Sequence, residues 1–94
     1  MSEQFPPDEN DVTVRYWASA RSAAGLAEET VAAGSLADVL AEITRRHRDS
    51  DRFEDVIDAC SILIDGTPVG SREHSDVRVF AGNTVELLPA FAGG

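Results

Sequence analysis

The order of apolar patterns along the chain predicts an α+β domain, a mixed sheet packed on one main helix. Three observations carry this. Short runs in which apolar and polar residues alternate, the period of a half-buried strand, stand near both ends as VTVRYW and TVELL. Between them GSLADVLAEITRRH has the i, i+3, i+4, i+7 spacing of a helix that buries one face. The 94 residues suffice for one domain whose core needs no metal or disulfide staple, and leave no room for a second.

The elements follow in order. Residues 1–11, with two prolines, many acids and one aromatic, offer too little apolar surface to offset the entropy of ordering, and are expected to be a flexible acidic tail. The domain is expected over residues 12–88. In its first strand Val12, Val14 and Tyr16 face the core, so Trp17 faces out. SARSAAG reads as a small-residue connection, and EETV as a short second strand over Glu28 to Val31 that returns as a hairpin. In the main helix Ser35 is the N-cap, with Asp38 three positions on in a capping-box arrangement, and Leu36, Val39, Leu40 and Ile43 form the buried stripe. Glu42 and Arg46 make an i, i+4 pair, and Arg45, Arg46 and Arg48 stand where the negative end of the helix dipole favours cations.

Phe53, Val56, Ile57 and Cys60 repeat the helical spacing over a shorter run, predicting a second helix of one or two turns. SILIDGTPVG predicts a strand, a turn at Asp65-Gly66 and a return over Thr67 to Val69. VRVF and TVELL, joined at Gly82-Asn83, are expected to pair, ending at Leu88. A hairpin, a crossover helix and a final strand in this order is the β-grasp, or ubiquitin-like, arrangement, in which the first and last strands lie side by side and parallel. Val85 and Leu87 then point at the helix, while Thr84, Glu86 and Leu88 share the outer face with Trp17. An indole and a leucine together on solvent-facing sheet, with Pro68 near them, suggest a docking patch.

Composition narrows the function. Seventeen acidic against eight basic residues give a formal charge of -9, the wrong sign for nucleic acid or an anionic membrane. A single cysteine excludes an internal disulfide, and no stretch has the pattern of a signal peptide or a membrane span, so a cytoplasmic location is expected. His47 and His74 lack ligand-like spacing and read as solvated histidines, with no metal expected. Cys60 reads as a small buried hydrophobe, without a second cysteine or a lysine to activate it. The run RRHR reads as helix-end stabilisation before it reads as an anion site. Gly66 and Gly82 belong to turns, and the scattered carboxylates single out no general acid and base. An autonomous enzyme is therefore the weakest reading.

The remaining feature is the stretch LLPAFAGG. Two glycines at a chain end arise by chance in roughly one protein in two hundred, or from trimming or a cloning scar. They also have a chemical use. An α-carboxylate becomes an electrophile on adenylation, and an enzyme that adenylates it must admit the chain end through a narrow channel. Residues without Cβ pass most easily. Pro89 fixes φ just before this segment, residues 89–94, which is expected to be a flexible tail. All eight basic residues are arginine, leaving the N-terminal amine as the only primary amine, through codon bias or for a chemical reason.

From about Val12 to Gly94 the sequence resembles the MoaD/ThiS family of ubiquitin-like sulfur carriers, and most of all its MoaD type, the small subunit of molybdopterin synthase. The resemblance rests on VTVRYWASAR, the capped helix, ILIDGTPV and, above all, AGNTVELLPAFAGG. It implies that the Gly94 carboxylate is adenylated by an ATP-using, E1-like enzyme of the MoeB/ThiF type and converted to a thiocarboxylate by a sulfur donor. The tail would then enter the large synthase subunit, of the MoaE type, and give sulfur to cyclic pyranopterin monophosphate. The chain would not be catalytic alone and would hold no cofactor stably, the ATP being used by the activating enzyme. Trp17, Pro68 and Leu88 match positions that in the family make an apolar contact with the partners, and Gly93, Phe91 and Pro89 of the tail are expected to bind the partners too, although Pro89-Ala90 and Phe91 depart from the family's usual tail. The absence of lysine would also keep an acyl adenylate from reacting with the side chains of a neighbouring copy. Other readings are a carrier for cysteine or thiazole synthesis, and a ubiquitin-like binding module that is never activated.

Overall fold

The computed structural model describes residues 11–89. In chain order the elements are β1 (Asp11–Tyr16), α1 (Ala18–Ala24), β2 (Glu28–Ala32), β3 (Gly34–Ser35), α2 (Leu36–Arg46), α3 (Phe53–Asp58), β4 (Cys60–Ile64), β5 (Thr67–Pro68), a 3-10 turn at His74–Asp76, β6 (Arg78–Val79) and β7 (Thr84–Pro89). The main sheet has the order β2-β1-β7-β4-β5. β1 and β7 are parallel, with Thr13 opposite Thr84 and Tyr16 opposite Leu87, and the remaining pairs are antiparallel. This is the β-grasp arrangement.

The strand parities hold. Val12, Val14 and Tyr16 of β1 and Val85 and Leu87 of β7 are buried against Leu36, Val39 and Ile43 of α2 and Phe53 and Ile57 of α3. Each such side chain withdrawn from water contributes about 1.5–3 kcal/mol. α2 begins at the capping box: the Ser35 hydroxyl accepts from Asp38 N at 3.0 Å, and the Asp38 carboxylate accepts from Ser35 N at 3.2 Å. At the Asp65-Gly66 turn both residues have positive φ, 51° and 85°, as a two-residue hairpin turn between strands of natural twist requires. β1 starts at Asp11 and β7 includes Pro89, one residue beyond the expected domain at each end.

Two expectations are corrected. SARSAAG is not a plain connection, because Ala18–Ala24 forms α1. β6 does not pair with β7 either; it pairs with β3, Gly34 opposite Val79 and Ser35 opposite Arg78. The reason lies in the sheet order. β7 is flanked by β1 and β4, so it has no free edge. The chain leaves β6 through a turn in which Asn83 N donates to Phe80 O, Gly82 N donates to Asp11 O and Thr84 N donates to the Asp65 carboxylate. Those bonds fasten the turn to the bases of β1 and β4 and carry β6 off the sheet.

Among the described residues no helix is long and apolar enough to cross a membrane.

Candidate functional site at the root of the C-terminal tail

β7 brings the chain up the centre of the sheet to Pro89, which lies opposite Cys60 of β4. Gly94, Gly93 and Phe91 lie outside the described residues, so the site is built here from its root. Trp17 follows β1 with extended backbone, and its N–H donates to Leu87 O at 3.2 Å, which carries the parallel ladder one step past Tyr16. Its indole is 45 % exposed, and Nε1 donates to the Glu86 carboxylate at 3.1 Å. The ring is thus held by one hydrogen bond on the outer face, beside the last residues of β7. Leu88 is half-buried and lies opposite Ser61.

Pro68 is further off. It is exposed on the edge strand β5, opposite Leu63, which is itself opposite Glu86. Arg15 completes that row, with Nε 3.2 Å from Glu28 and Nη1 3.9 Å from Glu86. The outer face therefore carries Arg15, Glu86, Leu63 and Pro68 in one row, with Trp17 and Leu88 one step further along, and β4 stands between Leu88 and Pro68. Phe80, 63 % exposed in the turn before β7, is the other large exposed hydrophobe among the described residues. Its place beside Asn83 and near Asp11 puts it at the opposite end of the sheet. Its position at the end of a short β-like run hid it in the sequence.

Cys60 is half-buried, its Sγ donates to Val56 O at 3.2 Å, and burial pushes the thiol up to about 11. It is a poor nucleophile in that state. An open groove of about 920 Å3 lies between α2, α3 and the β4–β5 edge, floored by Leu40, Ile57, Ile62 and Val69 with His74 at its rim. Cys60 and Ser61 also line it, but among the described residues no hydrogen bond joins either to a base, and no group of three or more His, Cys, Asp or Glu is placed to hold a metal.

Sequence reasoning missed one polar cluster under the sheet. The Glu29 carboxylate receives the Tyr16 hydroxyl, His47 Nε2 at 2.6 Å and Arg46 Nη1 at 3.1 Å. Burial pushes the carboxyl up, but the hydrogen bonds from Tyr16, His47 and Arg46 outweigh it and hold it below its ordinary value. Burial and then the bond to Glu29 drive the Tyr16 phenol well up. His47 is thus not a solvated histidine. Its ring lies 4.6 Å from that of Phe53 and meets Tyr16 edge-on at 5.9 Å. Tyr16, Glu29 and the adjacent Arg46 and His47 come from three separate parts of the chain and meet only after folding, and no local spacing signals that.

The ThiS family model matches residues 14–94, most of the chain. The chain belongs to the ThiS family. Its relatives are ubiquitin-like sulfur carriers. The solved structures it is similar to include the small archaeal modifier protein 1 of Methanosarcina acetivorans, at 23% identity and a TM-score of 0.75, covering 89% of this chain and 96% of that one. A putative molybdopterin converting factor subunit 1 from Pyrococcus furiosus matches at 26% identity and a TM-score of 0.68, covering 84% of this chain and 95% of that one. Subunit 1 in the complex of molybdopterin-converting factor subunits 1 and 2 from Helicobacter pylori matches at 17% identity and a TM-score of 0.63, covering 89% and 99%. No curated protein sequence matches significantly.

Proposed function

We propose that this sulfur carrier works through Gly94 and serves molybdopterin synthesis as the small subunit of the synthase. The observation that carries the reading is the setting of β7: it is paired with β1 as far as Leu87 and with β4 as far as Pro89, so the last residues of the chain leave from the centre of the sheet beside an exposed indole. In the proposed cycle an E1-like enzyme joins the Gly94 carboxylate to AMP from ATP, releasing pyrophosphate. A sulfur donor then displaces AMP, and the thiocarboxylate gives its sulfur to cyclic pyranopterin monophosphate in the large subunit. Gly93 and Gly94 thread the partners' channels, and Trp17, Leu88 and Phe91 contact the partner surface, with Pro68 at its margin. Sequence likeness to the Pyrococcus furiosus protein favours the molybdopterin pathway over cysteine or thiazole synthesis.

The test is intact mass after incubation with ATP, an E1-like activating enzyme of the family and a sulfur donor, beside a copy lacking Gly94. The expected result is the exchange of one oxygen for sulfur in the full-length chain alone. Partner binding by both chains, with no mass change in either, would make the protein a binding module. Association of the charged carrier with a MoaE-type subunit, and conversion of the pterin, then separate the pathways.

A further inference from the structure

Activation turns Gly94 into an electrophile, and an acyl adenylate or thioester is consumed by whichever amine or thiolate reaches it first. Nucleophiles on the domain are therefore rivals of the sulfur donor, and the structure shows how few there are. All eight basic residues are arginine. Three of them hold several acceptors at once, as an ammonium point charge does poorly. Arg15 faces Glu28 and Glu86, Arg45 grips both Glu42 oxygens, and Arg46 reaches Glu42, Glu29 and Thr30 O together. Arg21, Arg48, Arg52 and Arg78 are exposed and make no side-chain hydrogen bond or ion pair among the described residues. At those four a lysine would serve the fold equally well.

One thiol does stand at the tail's root. Cys60 lies opposite Pro89, five residues before Gly94, and such a segment spans up to about 17 Å when extended. Reach alone would let Cys60 capture the acyl group. Its Sγ instead donates to Val56 O, and with the thiol pushed up to about 11 the thiolate is rarer than on an ordinary cysteine by on the order of a hundredfold.

We propose that the domain is built to be inert toward its own activated C terminus: its surface offers no side-chain amine, and the one thiol beside the tail is tied to the Val56 carbonyl. The acyl group then survives until an external nucleophile meets it. The proposal rests on Gly94 as the activated atom, but its test needs no activating enzyme.

The full chain is prepared with its N-terminal amine acetylated and an alkyl thioester at Gly94, and its lifetime is followed by intact mass at mildly alkaline pH. Capture is an exchange in which a cysteine thiol gives its proton to solvent and its sulfur bonds to the Gly94 carbonyl carbon, while the bond from that carbon to the alkyl sulfur breaks and the departing alkanethiolate takes a proton from solvent; no oxidant takes part. The wild-type chain is expected to remain linear until it hydrolyses, and Cys60→Ser to have the same lifetime. Cys60→Ser combined with Ser61→Cys moves the lone thiol to the exposed position opposite Leu88, and is expected to cyclise at least about tenfold faster. Arg21→Lys, on the helix packed against β7, is expected to give an amide absent from wild type. Capture by Cys60 in the wild-type chain as fast as by the relocated thiol would overturn the proposal. So would relocated-thiol and lysine variants as long-lived as wild type. Failure of the carrier reading shows separately, as wild-type protein that gains no sulfur with ATP, activating enzyme and donor.

Discussion

α1 and α2 are both short helices on the same face of one sheet, yet they are held in different ways. α2 has a capping box, a buried stripe of Leu36, Val39 and Ile43, and Glu42 bridging Arg45 and Arg46 near its end. Hydrogen bonds from Arg45 and then Arg46 hold the Glu42 carboxyl at about 2. α1 has no side-chain cap, begins at Ala18 with φ of 47° and buries only Ala20 fully. Its first N–H groups, those of Ala20 and Arg21, donate to Trp17 O, and Gly25 closes it in the left-handed conformation by donating to Arg21 O. Its neighbours are β7 and α3. α2 is specified largely within its own sequence, whereas α1 is a turn of chain that the completed sheet and α3 hold in helical form.

The contrast can be broken at several points. Ile43→Ala empties the centre of the α2 interface and should cost about 2–5 kcal/mol in urea unfolding. A loss under about 1 kcal/mol would mean that α2 is not the principal wall of the core. Glu29→Gln should cost about 1–3 kcal/mol, because three donors lose their charged acceptor. Its pH dependence has a definite sign. The folded Glu29 carboxyl lies below its unfolded value, so its stabilisation is complete above the ordinary carboxylate range and drains away as pH falls toward the folded value. The gap in melting temperature between wild type and Glu29→Gln should therefore narrow in acid; a constant gap would show that the charge is not what matters.

Smaller effects separate the two helices more finely. Gly25→Ala, at φ of +80°, should destabilise by about 1 kcal/mol although a Cβ there meets nothing, since the strain lies in the backbone. Ser35→Ala should lose about 1 kcal/mol through the cap alone. Smallest of all, a peptide of residues 34–48 should show weak helical circular dichroism, reduced by Ser35→Ala, while residues 17–25 show none. Equal helicity in the two peptides would erase the distinction.

The same contrast explains which parts were legible in the sequence. The alternation in β1 and β7, the capping box and the Asp65-Gly66 turn are written in neighbouring residues, and those set the sheet, the main helix and the outward placement of Trp17. α1 has an Ala- and Ser-rich sequence with no periodic stripe, so its helix comes from packing. β3 and β6 are two residues each, too short for any period. The pairing of β6 with β7 was misread because Gly82-Asn83 has hairpin chemistry, while what decides the partner is that β1 and β4 already occupy both edges of β7. At the site, Leu88 and Trp17 followed from parity, but the place of Pro68 depends on β4, which lies between β7 and β5, and the Glu29 cluster depends on the whole fold.

The parallel β1–β7 pair has a mechanical consequence. In the proposed cycle a partner that drew the tail into a channel would pull along β7, which is paired with β1 over Thr84 to Leu87 and with β4 over Val85 to Pro89. The load falls on both ladders in shear, across many hydrogen bonds at once, and none can be peeled singly from an edge. On that proposal the carrier would be gripped by its end and released again without the domain unravelling.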